Sequence, residues 1–404
     1  MTAESIPEFP FARDNALEPP AELAELRLQC PVVRVRLPSG DEAQLVTRYD
    51  EARTVLSDPR FGRPGPGSAR LSTNADGGMF TRPQQGAEFA GDGPGHLRWR
   101  RLLGRSFTVR RMEVWRPKIQ RMTDELVDAM LAKGSPANVR DQLGLPLPVR
   151  AICALVGAPS EDQDKFAHWS SVLLTVTRYS QQDVEKARME FGAYVSDLVD
   201  QKRADPGDDL LSELIAVVDA EDGRLSQIEL IVTVMALLQA GHETTANMIG
   251  IMTAMLLSDR ARFEAVIADP ELVTATVEEV LRFDTALSPI GVPRVVSQDV
   301  ELGGVTVPAG TTLIPNKPFA NRDPRKFADP DRFDPHRSNN SEHLTFGAGP
   351  HFCLGQPLAR MELQVVLGTL VRRLPTMRLR DSPDDLRLRT GGFVGGLEDV
   401  WITW

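Results

Sequence analysis

FGAGPHFCLGQPLAR, residues 346–360, sets a single cysteine in a glycine-rich loop at the mouth of a helix. Gly347 and Gly349 give the backbone the φ/ψ freedom of a tight loop, and Cys353 projects just before an apolar helical run from Leu358 to Val371. A thiolate there gains from the helix N-terminal amides, which stabilise negative charge on sulfur and tune its donation to a metal. Without such flanks a lone cysteine reads better as a buried structural residue. The other cysteines, Cys30 and Cys153, are far away and form no C-x-x-C pair, which excludes a disulfide framework and a cysteine-rich iron–sulfur site and fits a reducing cytoplasm.

A second stretch, AGHETTA (240–246), lies inside the clearest helix of the chain. Ser226 and Glu229 have capping-box spacing, and the pattern continues without proline to about Leu257. At 1.5 Å per residue that helix is roughly 48 Å long, and it is apolar on most sides, which places it in the middle of the molecule. Gly241 costs about 1 kcal/mol there relative to alanine, so a packing or functional reason is expected. A zinc-protease H-E-x-x-H fails, because the second histidine would have to stand where Ala246 does. Glu243 next to Thr244 forms a sensible proton path, a carboxylate beside a hydroxyl; the alternative is that both only satisfy helix polar groups. His242 reads as structural.

Two weaker pairs share helix faces. Glu279 and Arg282 stand at i, i+3 on a helix that starts at Asp269–Pro270 and runs to Phe283. Alone such a pair is worth only about 0.2–0.5 kcal/mol. His96 and Arg100, one turn apart, can hold a carboxylate between them.

Strand-like alternation occurs at residues 32–37, 43–49 and after Arg294, and residues 61–95 read as a long loop. From His96 to about Ser258 the pattern is helical, broken at Gly134–Pro136, Gly144–Pro148, Gly157–Pro159 and Asp205–Asp209. The fold expected is mainly α with small β-sheets, a single domain over residues 1–404. A net charge of −10 argues against nucleic acid as a partner, despite a local run of Arg98, Arg100, Arg101, Arg105, Arg110 and Arg111. No apolar run reaches membrane-spanning length, and the opening residues lack the basic start and apolar stretch expected of a leader.

These residues resemble the cytochromes P450. Phe346, Gly347, Gly349, His351, Cys353 and Gly355 match the haem-ligand signature F-G-x-G-x-H-x-C-x-G without a gap, and Ala240, Gly241, Glu243 and Thr244 match A-G-x-[DE]-T. The resemblance covers nearly the whole chain and keeps the family's motif order. It implies haem b held between the long helix and the Cys353 helix, with Cys353 as proximal thiolate, Phe346 packed beside it and His351 reaching a propionate. His96, Arg100 and Arg294 are implied as further propionate partners. Ala240 and Gly241 are implied to line a groove where the helix opens to admit dioxygen, with Glu243 relaying protons and Thr244 positioning dioxygen and water. Glu279 and Arg282 take a structural role near the Cys loop, with His336 or Arg337 as a partner.

The implied substrate pocket comprises Phe80, Ala236, Gln239, Ile290, Val292, Phe393 and Val394. Gln239 departs from the aliphatic residue common before Ala-Gly, and a buried amide without a partner costs about 1–3 kcal/mol, so a substrate hydrogen bond is one reading and a backbone bond the other. The implied reaction is hydroxylation, epoxidation or oxidative coupling of a small molecule in secondary metabolism. Electrons would come from a ferredoxin and its reductase to a monomeric cytoplasmic enzyme, with the arginines of 98–111 as the docking face. The rivals are a zinc site of His336, His343, His351 and Cys353, which matches no common zinc spacing, and a non-catalytic haem carrier, which would need no Glu243–Thr244 pair.

Overall fold

The computed structural model describes residues 6–73, 89, 91–220 and 225–404. Helices are α1 (Glu22–Gln29), α2 (Tyr49–Ser57), α3 (Pro94–Gly104), α4 (Val109–Lys133), α5 (Pro146–Val156), α6 (Gln163–Leu173) and α7 (Gln181–Ala204). They continue as α8 (Leu210–Asp219), α9 (Gln227–Ser258), α10 (Arg260–Ala268), α11 (Val273–Phe283), α12 (Lys317–Ala320) and α13 (Gln356–Arg373). A five-stranded sheet has the order β1 (Val32–Arg36), β2 (Glu42–Val46), β8 (Thr312–Pro315), β5 (Arg294–Val296), β3 (Phe61–Gly62). Its β2–β8 pair is parallel and the rest antiparallel. Smaller sheets join β4 (Ala137–Asn138), β10 (Trp401–Thr403) and β9 (Arg378–Leu379), and β6 (Val300–Leu302) with β7 (Val305–Val307).

The long helix forms as expected. Ser226 accepts from the Glu229 N–H while the Glu229 carboxylate accepts from the Ser226 N–H, a complete capping box. α9 then passes through the molecule against α5, α6, α7, α8, α10 and α13. Every residue from Thr245 to Leu257 is buried, so little of its surface can be polar. The main apolar core gathers side chains of α4, α5, α9 and α13 around it.

Three boundaries differ from expectation. The expected break at Gly144–Pro148 is a junction: a π-helical turn, Arg140–Gly144, leads directly into α5, whose first turn contains Pro146 and Pro148. Proline is tolerated there because the first-turn N–H groups have no helical acceptor. Tyr49 opens α2 rather than ending a strand, and its N–H is taken by Asp323 at 2.9 Å. The helix expected from Asp269 starts as a 3₁₀ turn, Pro270–Leu272, capped by Asp269, before α11.

Candidate active site

Cys353 exposes surface although protein surrounds it on every side, so that surface faces the interior. Its loop is fixed by its own backbone. Gly347 donates to Leu344 O at 2.7 Å, Phe352 to Gly349 O at 3.0 Å, and Cys353 to Phe346 O at 2.8 Å. Gly349, at φ 69°, sits so close to α2 that a Cβ would lie 2.5 Å from the Ser57 Cα; no other residue fits. Burial raises the Cys353 thiol, while the Gly355 N–H and the charges of Lys317, Arg100 and Arg360 pull it down.

Behind the loop stands the expected Glu279–Arg282 network. Both side chains are completely buried and joined by two hydrogen bonds, 2.8 and 2.7 Å. Arg282 also donates to Asn321 O at 2.9 Å, and Asn321 in turn accepts from the Leu344 N–H and donates to Thr345 Oγ1. The pair thus reaches the residues that begin the Cys loop. Its third member is Arg337, 3.7 Å from Glu279, whereas His336 is exposed and takes no part through its ring.

On α9, Ala236, Ala240 and Thr244 keep accessible surface at i, i+4 and i+8, along one side of the helix, and Ala240 keeps the most of the three. Thr244 Oγ1 donates to Ala240 O at 3.0 Å. The helix stays regular throughout, so the expected opening is not present in this structure. Gly241 does not face that side: a Cβ there would lie 2.8 Å from Ile152, so the glycine lets α5 approach α9. His242 donates through Nδ1 to Leu238 O at 2.6 Å and is structural in its contacts.

Glu243 has a partner that the sequence did not reveal. Arg389 Nη1 lies 3.3 Å from Glu243 Oε1 and 3.3 Å from Asn247 Oδ1. Burial pushes the Glu243 carboxyl up, with Arg389, Arg140 and Arg178 opposing it. Its Oε2 has no partner among the described residues. Beside it is a cavity of about 10 Å³ lined by Glu243, Arg178, Arg389, Thr390 and Val394, space for roughly one water. Arg389 lies two residues before Gly391, and nothing in its own flanks ties it to Glu243.

The remaining pocket candidates separate. Val292, Phe393 and Val394 are partly exposed, and Ile290 is buried in a small apolar cluster against which Phe393 packs. Gln239, expected on the pocket wall, has no accessible surface, and neither end of its amide has a partner among the described residues. Phe80 lies outside the described residues.

His96, Arg294 and His351 come together with groups that were not foreseen, while Arg100 feels the charge of Cys353. The His96 and His351 rings are 4.1 Å apart, and His351 Nε2 is 2.7 Å from Asp92. Arg63 Nη2 is 3.3 Å from His351 Nδ1. Burial and the neighbouring Arg294 depress Arg63 to about 9, and burial also lowers Arg100, Arg294 and Lys317. Arg63 Nε and Asn316 Nδ2 are buried donors without partners among the described residues. Buried cations crowded together, with Asp92 shared among them, are unfavourable unless a further anion joins them. Sequence position alone hid Arg63, Asp92 and Asn316, which follow no helical or motif spacing. The four residues of the zinc rival do not converge: among the described residues no three metal-ligating side chains gather, and His343 instead lies 3.3 Å from Glu278.

The cationic cluster asks for a dianion, and the interior sulfur asks for a metal. Iron porphyrin with two propionates meets both, which defines the class as haem-thiolate. The family profile for Cytochrome P450 matches residues 149–394. Similar proteins include nocardicin C N-oxygenase of Nocardia uniformis subsp. tsuyamanensis and mycinamicin IV hydroxylase/epoxidase of Micromonospora griseorubida. Each is 39% identical, with 100% of both chains covered. The crystal structure of the LnmA cytochrome P450 hydroxylase, from the leinamycin biosynthetic pathway of Streptomyces atroolivaceus S-140, superposes with a TM-score of 0.88. It is 40% identical and covers 99% of this chain and 100% of that one. The chain belongs to the cytochrome P450 family: it is a haem b monooxygenase acting on a small molecule with electrons from redox partners. No described helix is long and apolar enough to cross a membrane.

Proposed function

We propose that residues 1–404 form one catalytic domain that oxidises a small molecule of secondary metabolism, by hydroxylation, epoxidation or oxidative coupling. Relatives named for N-oxygenation and for hydroxylation or epoxidation of antibiotics support that substrate class. The observation that carries the reading is the interior surface of Cys353, on the Cys loop, together with that of Ala240 in the middle of α9. Haem set between them, with Cys353 as its iron ligand, would supply activation of dioxygen, with one atom going to substrate and one to water in hydroxylation or epoxidation, and both to water in coupling.

The chain's own residues supply the rest. Phe346 and Gly355 frame the sulfur, and the Gly355 N–H steadies its charge. His96, Arg100, Arg294 and His351, with Arg63 and Asn316, hold the propionates. Thr244 positions dioxygen and water, and Glu243 hands protons to it from the water-sized cavity on its far side, where Arg389 keeps the carboxylate in place. Glu279 and Arg282 fix the Cys loop. Ala236, Ala240, Ile290, Val292, Phe393 and Val394 bound the substrate with Phe80, and Gly241 sets the spacing of α5. Gln239 serves the substrate only if its amide turns outward.

For electrons we assign a ferredoxin and its reductase, in the cytoplasm, with the chain as a monomer. Arg98 and Arg111 are engaged by Glu229 and Glu213, which leaves exposed Arg101, Arg105 and Arg110 around exposed Leu97 to meet an acidic partner. The test is turnover of candidate metabolites, chosen by ligand-induced shifts of the haem band, under labelled dioxygen with a ferredoxin system. A product carrying one labelled oxygen, or a coupled product formed with labelled water, is expected. Shifted spectra with no oxidised product from any ligand would reject a monooxygenase of small molecules.

A further inference from the structure

Lys317 is the first residue of α12, after β8 ends at Pro315 and Asn316 caps the helix. Its Nζ donates to Thr345 O at 3.0 Å. Thr345 is itself held, donating through Oγ1 to Leu281 O at 2.6 Å and accepting from Asn321 at 2.9 Å. The next carbonyl along the chain, that of Phe346, accepts the Cys353 N–H at 2.8 Å. The ammonium is therefore fixed one peptide away from the one that holds the cysteine. It forms no ion pair with a carboxylate among the described residues. An ammonium carries three donors, and removing it from water without a counter-charge is unfavourable. Burial lowers the Lys317 ammonium and raises the Cys353 thiol, and each group's charge opposes the effect of burial on the other.

We propose that Lys317 is a tuning residue for the axial sulfur: its fixed charge beside the Cys loop withdraws electron density from the thiolate and raises the reduction potential of the haem. The inference rests on Cys353 being the iron ligand. Charge and hydrogen bonding near a ligating sulfur are established levers on the potential of such centres. A positive charge favours the ferrous state, which carries one positive charge fewer than the ferric state. Loss of the lysine should thus make the iron harder to reduce and the thiolate a stronger donor.

The experiment compares wild type with Lys317→Arg, Lys317→Gln and Lys317→Met in the haem-loaded, substrate-free full chain. Midpoint potentials are read by spectroelectrochemical titration and the C–O stretch of the ferrous–CO complex by infrared spectroscopy. Lys317→Arg should keep both values. In the Gln and Met variants the ferrous-to-ferric ratio at a fixed potential should fall about tenfold, a shift of ~59 mV for one electron, and the C–O stretch should move to lower frequency. Arg and Gln variants with the same potential would overturn the proposal and leave Lys317 as a hydrogen-bond donor to Thr345. Unchanged potentials with faster haem loss would also overturn it, in favour of a propionate contact. Failure of the underlying ligand assignment is distinguishable, because wild type itself would then lack the thiolate-type CO band.

Discussion

Thr244 lies on the accessible side of α9, and among the described residues its hydroxyl is bonded only to the Ala240 carbonyl one turn back. Such back-bonding is common for threonine in helices and stabilises little, so the side chain can turn to a new acceptor at small expense. Glu243 beside it is buried, raised by that burial, and restrained by Arg389. Thr244→Ala should leave haem content and substrate affinity near wild type, because no packing depends on the hydroxyl. General acid–base steps are worth about 10²–10⁴ in rate, so product formed per electron consumed should fall at least about tenfold, the balance appearing as hydrogen peroxide. Thr244→Ser should recover most of the coupling. Equal coupling in wild type and the alanine variant would remove this threonine from the proton path. At this scale the motif residues were legible because their spacing repeats a known pattern. Arg389 and Arg63 were not, since a long-range ion pair leaves no periodic trace in sequence.

Helices α11 and α13 are tied by a buried carboxylate. Glu278 accepts from Arg360 of α13 at 3.0 Å and lies 3.3 Å from His343. Burial by itself would raise the carboxyl, but nearby His343 and the hydrogen bonds from Arg360 outweigh it and hold Glu278 at about 2, below the ordinary glutamate value of 4.5. The unfolded chain therefore binds this proton first as pH falls. The stabilisation is complete above pH ~4.5 and is lost progressively toward pH ~2, by no more than about 3.5 kcal/mol at 1.36 kcal/mol per unit. Chemical unfolding of wild type at pH 6 and pH 3 should show a larger loss than the same pair of measurements on Glu278→Gln. Equal losses would mean that the α11–α13 tie does not titrate. Element existence was read well from local signals such as the Ser226–Glu229 cap and the Asp269–Pro270 start. The Gly144–Pro148 junction was misread, because proline marks a helix start as readily as a break and only the packing decides. Gly144 there lies close to the Ala246 carbonyl of α9, a contact that no local pattern announces.

Across the whole molecule, a long apolar helix, a glycine-bounded cysteine loop and a set of separated basic residues converge on the interior. The class of fold was legible because one long capped helix with no proline must lie at the centre. The pocket was less so: Gln239 turned out enclosed and Gly241 faces α5, since helix periodicity gives a face but not which neighbour covers it. All of these features depend on sulfur from Cys353 reaching iron. Cys153, by contrast, is buried on α5 and pushed up to about 12 by burial and nearby Asp162 and Glu161, which suits an inert thiol. Cys30 donates to Val32 O at 3.0 Å at the start of β1. The decisive measurement is the ferrous–CO spectrum of wild type and the three single cysteine-to-alanine variants. The strongly red-shifted band of thiolate ligation should appear in wild type, Cys30→Ala and Cys153→Ala and vanish in Cys353→Ala; the same band in all four proteins would contradict Cys353 as the ligand.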